Sequence, residues 1–241
     1  MTKVMVALRA PGPGVELPGA DLLGVELLGV ELLGAGFRRT CERSGARRVQ
    51  VNISDDAVTG AMRISELDPP IEAVVSLWDA DVDIVLAALG EFATVVGAWR
   101  VAERAPLDPD LPADGTRVDA LANVAFLRRP AGLDPQEWRR IWLEEHTTVA
   151  IETQATFGYY QNVVEDALTP ETPQVDGIVE ELFPMAAVSD LHAFYGSGGD
   201  RAELEHRMTR MLTSVGRFGA DRHLDVVPTS RHDLVLEVPA R

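Results

Sequence analysis

The alternation of apolar and polar positions divides this chain into short strands and amphipathic helices that recur in a fixed order. Lys3–Leu8 (KVMVAL) reads as a strand ended by Arg9-Ala10-Pro11-Gly12, and Pro13–Gly19 as loop by composition. From Leu22 to Leu33 the unit Leu-Leu-Gly-Val-Glu repeats. Its period matches neither helix nor strand, so it predicts a helix weakened by glycines and lacking a clean apolar face. Gly36–Ser44 continues helically, and Arg47–Ser54 (RRVQVNIS) and Ile71–Trp78 (IEAVVSLW) read as strands. Val82, Val85, Leu86 and Leu89 mark a helix over Asp81–Phe92, and Val95–Val101 is a fourth strand. After a polar, proline-rich stretch from Ala105 to Arg117 the order starts again. Asn123–Leu127 is a strand, Pro135–Ala150 a helix, and Phe157–Val164 and Val175–Leu182 are strands. Ser189–Tyr195 begins a helix that resumes over Arg201–Val215, and His223–Val227 opens the last strand.

Strand, helix, strand, strand, helix, strand is the split βαβ order of a ferredoxin-like unit. The residues repeat with it. Ala7-Leu8-Arg9-Ala10-Pro11 is answered by Phe126-Leu127-Arg128-Arg129-Pro130, and Asn52-Ile53-Ser54-Asp55-Asp56 by Asn162-Val163-Val164-Glu165-Asp166. Ile71-Glu72-Ala73-Val74-Val75 is answered by Val175-Asp176-Gly177-Ile178-Val179. The offset shrinks slowly along the chain, as insertions in loops would cause, which points to a tandem duplication. The expected units are a degenerate first repeat over residues 1–104, a linker over 105–119, and a second repeat over 120–241. A ferredoxin-like unit covers only one face of its sheet with helices, and the other face needs a partner. The fold expected is therefore α+β: two ferredoxin-like repeats packed sheet to sheet as a fused barrel, with a cavity between the sheets.

Composition narrows the function classes. With 241 residues, 46% of them hydrophobic and 25% charged, the chain can bury a sizeable core. A formal charge of −16 argues against a nucleic-acid or anionic-membrane surface, because phosphate binding needs clustered cations. The single Cys41 excludes an internal disulfide and a cysteine metal cluster, so a cytoplasmic protein is expected. The apolar run Asp21–Gly36 is interrupted by Glu26, Glu31 and several glycines and cannot cross a bilayer. Metalloprotease, Walker, Rossmann and serine-hydrolase motifs do not occur.

Candidate chemistry concentrates between Leu127 and Asn162. Asp134 is placed to cap a helix with Pro135 in its first turn. Trp138, Trp142 and His146 follow at four-residue spacing on one face, with Arg139, Arg140, Glu144 and Glu145 largely between them. A neutral imidazole at a semi-apolar cavity can take a proton from carbon or hydroxyl and return it elsewhere. The bland reading is a histidine satisfied at a helix–sheet interface. Tyr159 and Tyr160 point to opposite faces of their strand, so one of them can donate to a developing oxyanion. Asn162 shares parity with Tyr160, and Gln161 with Tyr159. Glu180, in Asp176-Gly-x-x-Glu180, is a candidate base or orienter beside His146. Trp138 and Trp142 read as core, with the nearer one able to stack on a flat substrate. Arg128 and Arg129 can meet a carboxylate or pair with Glu144 or Glu145. His232 is a weaker substrate-side candidate, and His192 and His206 read as structural.

The runs Arg128–His146 (RRPAGLDPQEWRRIWLEEH), Tyr159–Asn162 (YYQN) and Val175–Glu180 (VDGIVE) resemble the EthD family of the dimeric α+β barrel superfamily. The resemblance covers roughly Asn123–Leu182 and fades afterwards. Where the family carries a C-terminal phenylalanine and aspartate, this chain has Phe218-Gly-Ala-Asp221 and then Arg231-His232-Asp233. The first half matches only through the repeat, and the position equivalent to His146 falls on Gly36. One half would hold the site and the other close the cavity. The resemblance implies a superfamily that includes cofactor-free cyclases and monooxygenases, muconolactone isomerases, and haem enzymes such as chlorite dismutases. The expectation is a cofactor-free lyase, isomerase or cyclase acting on a small aromatic or polyketide-like carbonyl compound. His146 would be general acid/base with Tyr159 or Tyr160 and Glu180, while Trp138, Trp142, Arg129, Asn162 and His232 contact substrate. No metal site is expected, and a homodimer of the fused barrel stays open. An oxidative enzyme, monooxygenase-like or with histidine-ligated haem, is the alternative. A non-catalytic small-molecule-binding module is the third reading.

Overall fold

The computed structural model describes residues 1–11 and 24–237. The expected loop Pro13–Gly19 and the first residues of the Leu-Leu-Gly-Val-Glu repeat lie outside them. Strands β1 (Lys3–Arg9), β2 (Arg48–Ile53), β3 (Ala73–Trp78) and β4 (Thr94–Leu107) come from the first half. β5 (Asp114–Arg117) lies between the halves, and β6 (Leu121–Leu127), β7 (Gly158–Ala167), β8 (Gly177–Phe183) and β9 (Asp225–Val235) come from the second. They pair antiparallel in the order β2-β3-β1-β4-β7-β8-β6-β9, and β9 returns to β2. The result is a closed eight-stranded antiparallel barrel in a mixed α/β fold, with β5 added against β9. Closure leaves no long unpaired edge. Within the barrel, β2-β3-β1-β4 and β7-β8-β6-β9 follow the same order. The proline-rich stretch expected as linker is partly strand, since β4 runs on to Leu107 and β5 occupies Asp114–Arg117.

Helices cover the outside. The repeat segment forms α1 (Val25–Leu33), and Gly34, in extended conformation, separates it from α2 (Ala35–Arg43). Asp81 caps α3 (Val82–Leu89). In the second half, Asp134 accepts from the Gln136 and Glu137 N–H groups at 2.8 and 3.1 Å and starts α4 (Pro135–Arg140). The helix then widens into a π-helical turn, Ile141–His146, before α5 (Thr147–Thr153). α6 (Leu191–Tyr195) and α7 (Arg201–Phe218) complete the layer, and Gly219 ends α7 at φ 82°.

Cross-strand register assigns the two faces, because opposed residues share one. Met5, Val74, Trp99, Val124, Phe126, Ile178 and Val227 form an apolar layer inside the barrel. A charged layer lies beside it. Arg231 donates to Glu180 at 3.1 Å and to Asp233 at 2.6 Å, with all three about 1% exposed. Glu180 also accepts from Gln50 at 2.8 Å and Asn52 at 2.9 Å, and Arg48 reaches Asp233 at 2.6 Å. Lys3 pairs with Glu103, which also accepts from Trp78 Nε1.

The space between the two sheets is thus occupied by side chains, and the expectation of His146 aimed into it is corrected. The reason is geometric. The faces that meet inside the barrel are the helix-free ones, so a helix-borne side chain packs against the outer face of its own sheet. There the halves differ. In the first half, Leu28, Leu32, Phe37, Cys41, Val85 and Leu89 pack on Val4, Val6, Val49, Val51, Val75 and Leu77. In the second, Trp138 and Trp142 pack on β8 where Gly177 leaves room, since a Cβ there would lie 2.5 Å from the Trp142 ring. Gly177→Ala is expected to cost about 1–3 kcal/mol by forcing the indoles apart, read by urea denaturation. Arg231→Met leaves Glu180 buried without its cation and Asp233 with Arg48 alone, and is expected to cost about 3–5 kcal/mol in the same assay. A neutral outcome for either would contradict the packing described.

Candidate functional site

A cavity of about 160 Å³ lies between the outer face of the second half's sheet and its helices. His146 reaches it from the π-helical turn, a local widening often associated with functional sites. Its ring is 5% exposed, lies 4.8 Å from the Phe218 ring centroid, and holds Nδ1 2.9 Å from Ser214 Oγ on α7. Burial pushes its pKa down to about 4, so the imidazole is neutral near pH 7. In the tautomer whose Nδ1–H donates to Ser214, Nε2 is left as the proton acceptor.

The sheet side supplies a row of polar groups. Tyr159 on β7 stands opposite Glu181 on β8, and Glu181 opposite Asn123 on β6. All three line the cavity with His146, and Gln154 joins them from the end of α5. Glu181 Oε1, Asn123 Oδ1 and Gln154 Oε1 are shielded from solvent and have no hydrogen-bond partner. Burial raises the Glu181 carboxyl to about 8, so it is mostly protonated at neutral pH. Burial likewise drives the Tyr159 phenol up, with the nearby Glu181 adding to the effect, and keeps it a neutral donor. Leu127, Val179, Val215, Leu224 and Val226 make much of the remaining wall. The first half contributes Met62, on the β2–β3 connection. That connection is held across the molecule by an Ile64–Val226 bridge and by the Glu66 and Leu67 N–H groups donating to Asp225.

The structure brings together only some of the residues singled out by sequence. His146, Tyr159 and Trp142 share the cavity. Trp138 lies behind it, donating its indole N–H to Phe218 O at 3.0 Å and packing at a tilt of 46° against Trp142, with centroids 4.9 Å apart. Tyr160, Asn162 and Glu180 are on the opposite face of the sheet, inside the barrel. Tyr160 donates to Asp108 and lies under Arg231, whose guanidinium carbon is 4.8 Å from the ring centroid. Asn162 donates to Ile178 O. Glu180 therefore cannot act with His146, because the sheet separates them; period-two alternation puts neighbouring Glu181 on His146's side instead. Arg129 lines an open surface cleft and is engaged by Asp176 and the Leu133 carbonyl. His232 faces a separate pocket against the first half's helices, with Nδ1 3.1 Å from Gly115 O. Sequence reasoning missed Glu181, Asn123, Gln154 and Ser214. The available signal was strand parity: Tyr159, Glu181 and Asn123 fall in one cross-strand row.

The architecture is similar to that of dimeric α+β barrel proteins, with one such cavity described in the second half. Within it, residues 130–205 match the EthD domain family. No curated protein matches the sequence. Among solved structures, an anthrone oxidase-like protein superposes with a TM-score of 0.58 at 10% identity, covering 100% of this chain and 97% of the other. A putative monooxygenase from Lactobacillus acidophilus NCFM gives 0.46 at 8% identity, covering 98% and 100%. A mutant chlorite dismutase from Candidatus Nitrospira defluvii gives 0.47 at 14%, covering 98% and 91%. At these identities the likeness concerns the fold alone. Among the described residues no helix is long and apolar enough to cross a membrane, and no cluster of metal-ligating side chains occurs.

At about 160 Å³ the cavity is close to the roughly 150 Å³ that admits benzene and well under the roughly 300–1,000 Å³ of drug-sized sites. A porphyrin does not fit the site as it stands, and His146, its only histidine, packs against Phe218 and Ser214.

The two shifted groups act in opposite directions on stability. His146, lowered from 6.5 to about 4, contributes stability that is complete above pH 6.5 and lost as pH falls through 4. Glu181, raised from 4.5 to about 8, contributes stability that is complete below pH 4.5 and lost as pH rises through 8. His146→Gln is expected to abolish the first dependence and Glu181→Gln the second. Thermal unfolding across pH, with NMR titration of both side chains, checks this. A Glu181 carboxyl titrating below 5 would contradict the burial argument.

Proposed function

We propose that this protein is a cofactor-independent enzyme that moves a proton on a small, uncharged carbonyl compound of about one aromatic ring. The observation that carries the reading is a neutral, buried His146 facing the same small apolar cavity as Tyr159 and a row of unpartnered polar groups. Nε2 of His146 takes a proton from the carbon next to the carbonyl. The electron pair moves onto the carbonyl oxygen, where the Tyr159 hydroxyl donates a hydrogen bond. Return of the proton to another atom isomerises the substrate, and its transfer to a leaving group completes an elimination; where the enolate carbon instead attacks a second carbonyl of the same molecule, the ring closes and the proton goes to the new alkoxide oxygen. A dry, prearranged wall makes both interactions stronger than in water. The two-fold use of one strand order supports a tandem ferredoxin-like origin for the scaffold, with the second copy carrying the chemistry.

A cofactor-free oxidation begins with the same deprotonation, the resulting carbanion then reacting with dioxygen. This second reading is favoured by the anthrone oxidase-like protein whose fold the chain shares. Phenylacetone in D₂O separates the possibilities. NMR should show its methylene protons exchanging faster with the protein than in buffer, with rate limbs near pH 4 and 8 if His146 must be neutral and Glu181 protonated. His146→Ala should lower the rate about 10²–10⁴-fold while folding is retained. Exchange at the buffer rate, or unaffected by the substitution, would sink the proton-transfer assignment. Oxygen uptake alongside exchange would select the oxidative branch.

A further inference from the structure

Within the cavity wall the sheet row has a charge character that restricts what enters. Its titratable members are His146 from the π-helical turn, Tyr159 from β7, Glu181 from β8 and Tyr195 from α6. Among the described residues no arginine or lysine lines it. An entering carboxylate would therefore lose its hydration and find no cation, a cost that burial makes large. A neutral oxygen meets a different wall. Asn123 is 6% and Gln154 7% exposed, and each holds an amide oxygen with no partner. Glu181 Oε1 is equally unpartnered and stands directly across from Asn123. Buried polar groups without partners are costly, and a ligand that pairs with them recovers that cost.

We propose that Glu181, Asn123 and Gln154 form the specificity-determining end of this cavity, selecting a substrate oxygen that carries no charge, as in a ketone or phenol, over a carboxylate. The inference rests on the reading of the cavity as a small-molecule site, but not on His146 acting as a base. A carboxylic acid can donate to a carbonyl oxygen; the two amides can accept from a hydroxyl or, turned over, donate through nitrogen. Burial keeps the Glu181 proton in place up to about pH 8, and Tyr159, Tyr195 and His146, which face the same space, are all neutral there. Ionisation of Glu181 removes the donor and sets a negative charge against the ligand oxygen.

Three probes of nearly one shape test this by calorimetry on the full chain: phenylacetone, isobutylbenzene and phenylacetate. At pH 6.5 phenylacetone should bind about 3–10-fold more tightly than isobutylbenzene, the value of one net hydrogen bond, and phenylacetate most weakly. The ketone's advantage should vanish by pH 9. Glu181→Gln should keep a preference for the ketone but lose its pH dependence, and Glu181→Leu should make ketone and hydrocarbon equal. Equal binding of these two by the native protein, or tightest binding of phenylacetate, overturns the proposal. So does an unchanged pH dependence in Glu181→Gln. If isobutylbenzene binds but the ketone gains nothing, this inference alone fails. If neither binds, the cavity reading fails with it. Should Glu181→Leu not fold, the native pH series and Glu181→Gln still decide.

Discussion

A guanidinium held between two carboxylates in the closed barrel is the constraint on which the rest of the molecule depends. Arg231 on β9 joins Glu180 on β8 to Asp233, while Gln50, Asn52 and Arg48 bring β2 into the same network. The β9–β2 seam is one of the two where strands of the two halves pair along their length. Three charges removed from water there are tolerable only because each finds its partners. The pairing works only in one register, since sliding a strand by one residue would turn its charges to the opposite face. The cluster thus fixes how the halves close as much as how firmly.

Filling the barrel in this way assigns the interior to structure and leaves ligand space to the helix–sheet layer. That layer is used unequally. In the first half, leucine, valine and phenylalanine side chains interdigitate on the sheet. In the second, tryptophans anchor one end of the helix on Gly177, and the π-helical turn beyond them carries His146 over a wall that mixes apolar and polar groups. The first half still takes part, because its β2–β3 connection crosses to place Met62 in the cavity. The buried ion cluster and the cavity are therefore divided between the two faces of one sheet, one residue apart along each strand.

The consequences of that spacing explain what was legible in the sequence. The elements were, because period-two and helical patterns, the Asp134-Pro135 start and the repeated segments are local properties of the chain. That Trp138, Trp142 and His146 share one helix face was legible for the same reason. The partners of His146 were not. Glu180 and Glu181 are adjacent, as are Tyr159 and Tyr160, and only strand register tells which of each pair stands beside the helix. Arg129 and His232 carry suitable chemistry, but loop and pocket geometry takes them elsewhere.

What the sequence by itself determined was the order of strands and helices, the doubling of that order, and a helix presenting an imidazole on its apolar side. Tertiary structure alone decided which face of the sheet that imidazole meets and which carboxyl it meets there. The physical reason is that alternation along a strand defines two faces without naming them. Helices covering one side and a second sheet closing the other are what make one face an ion-bearing core and its opposite the wall of a small cavity.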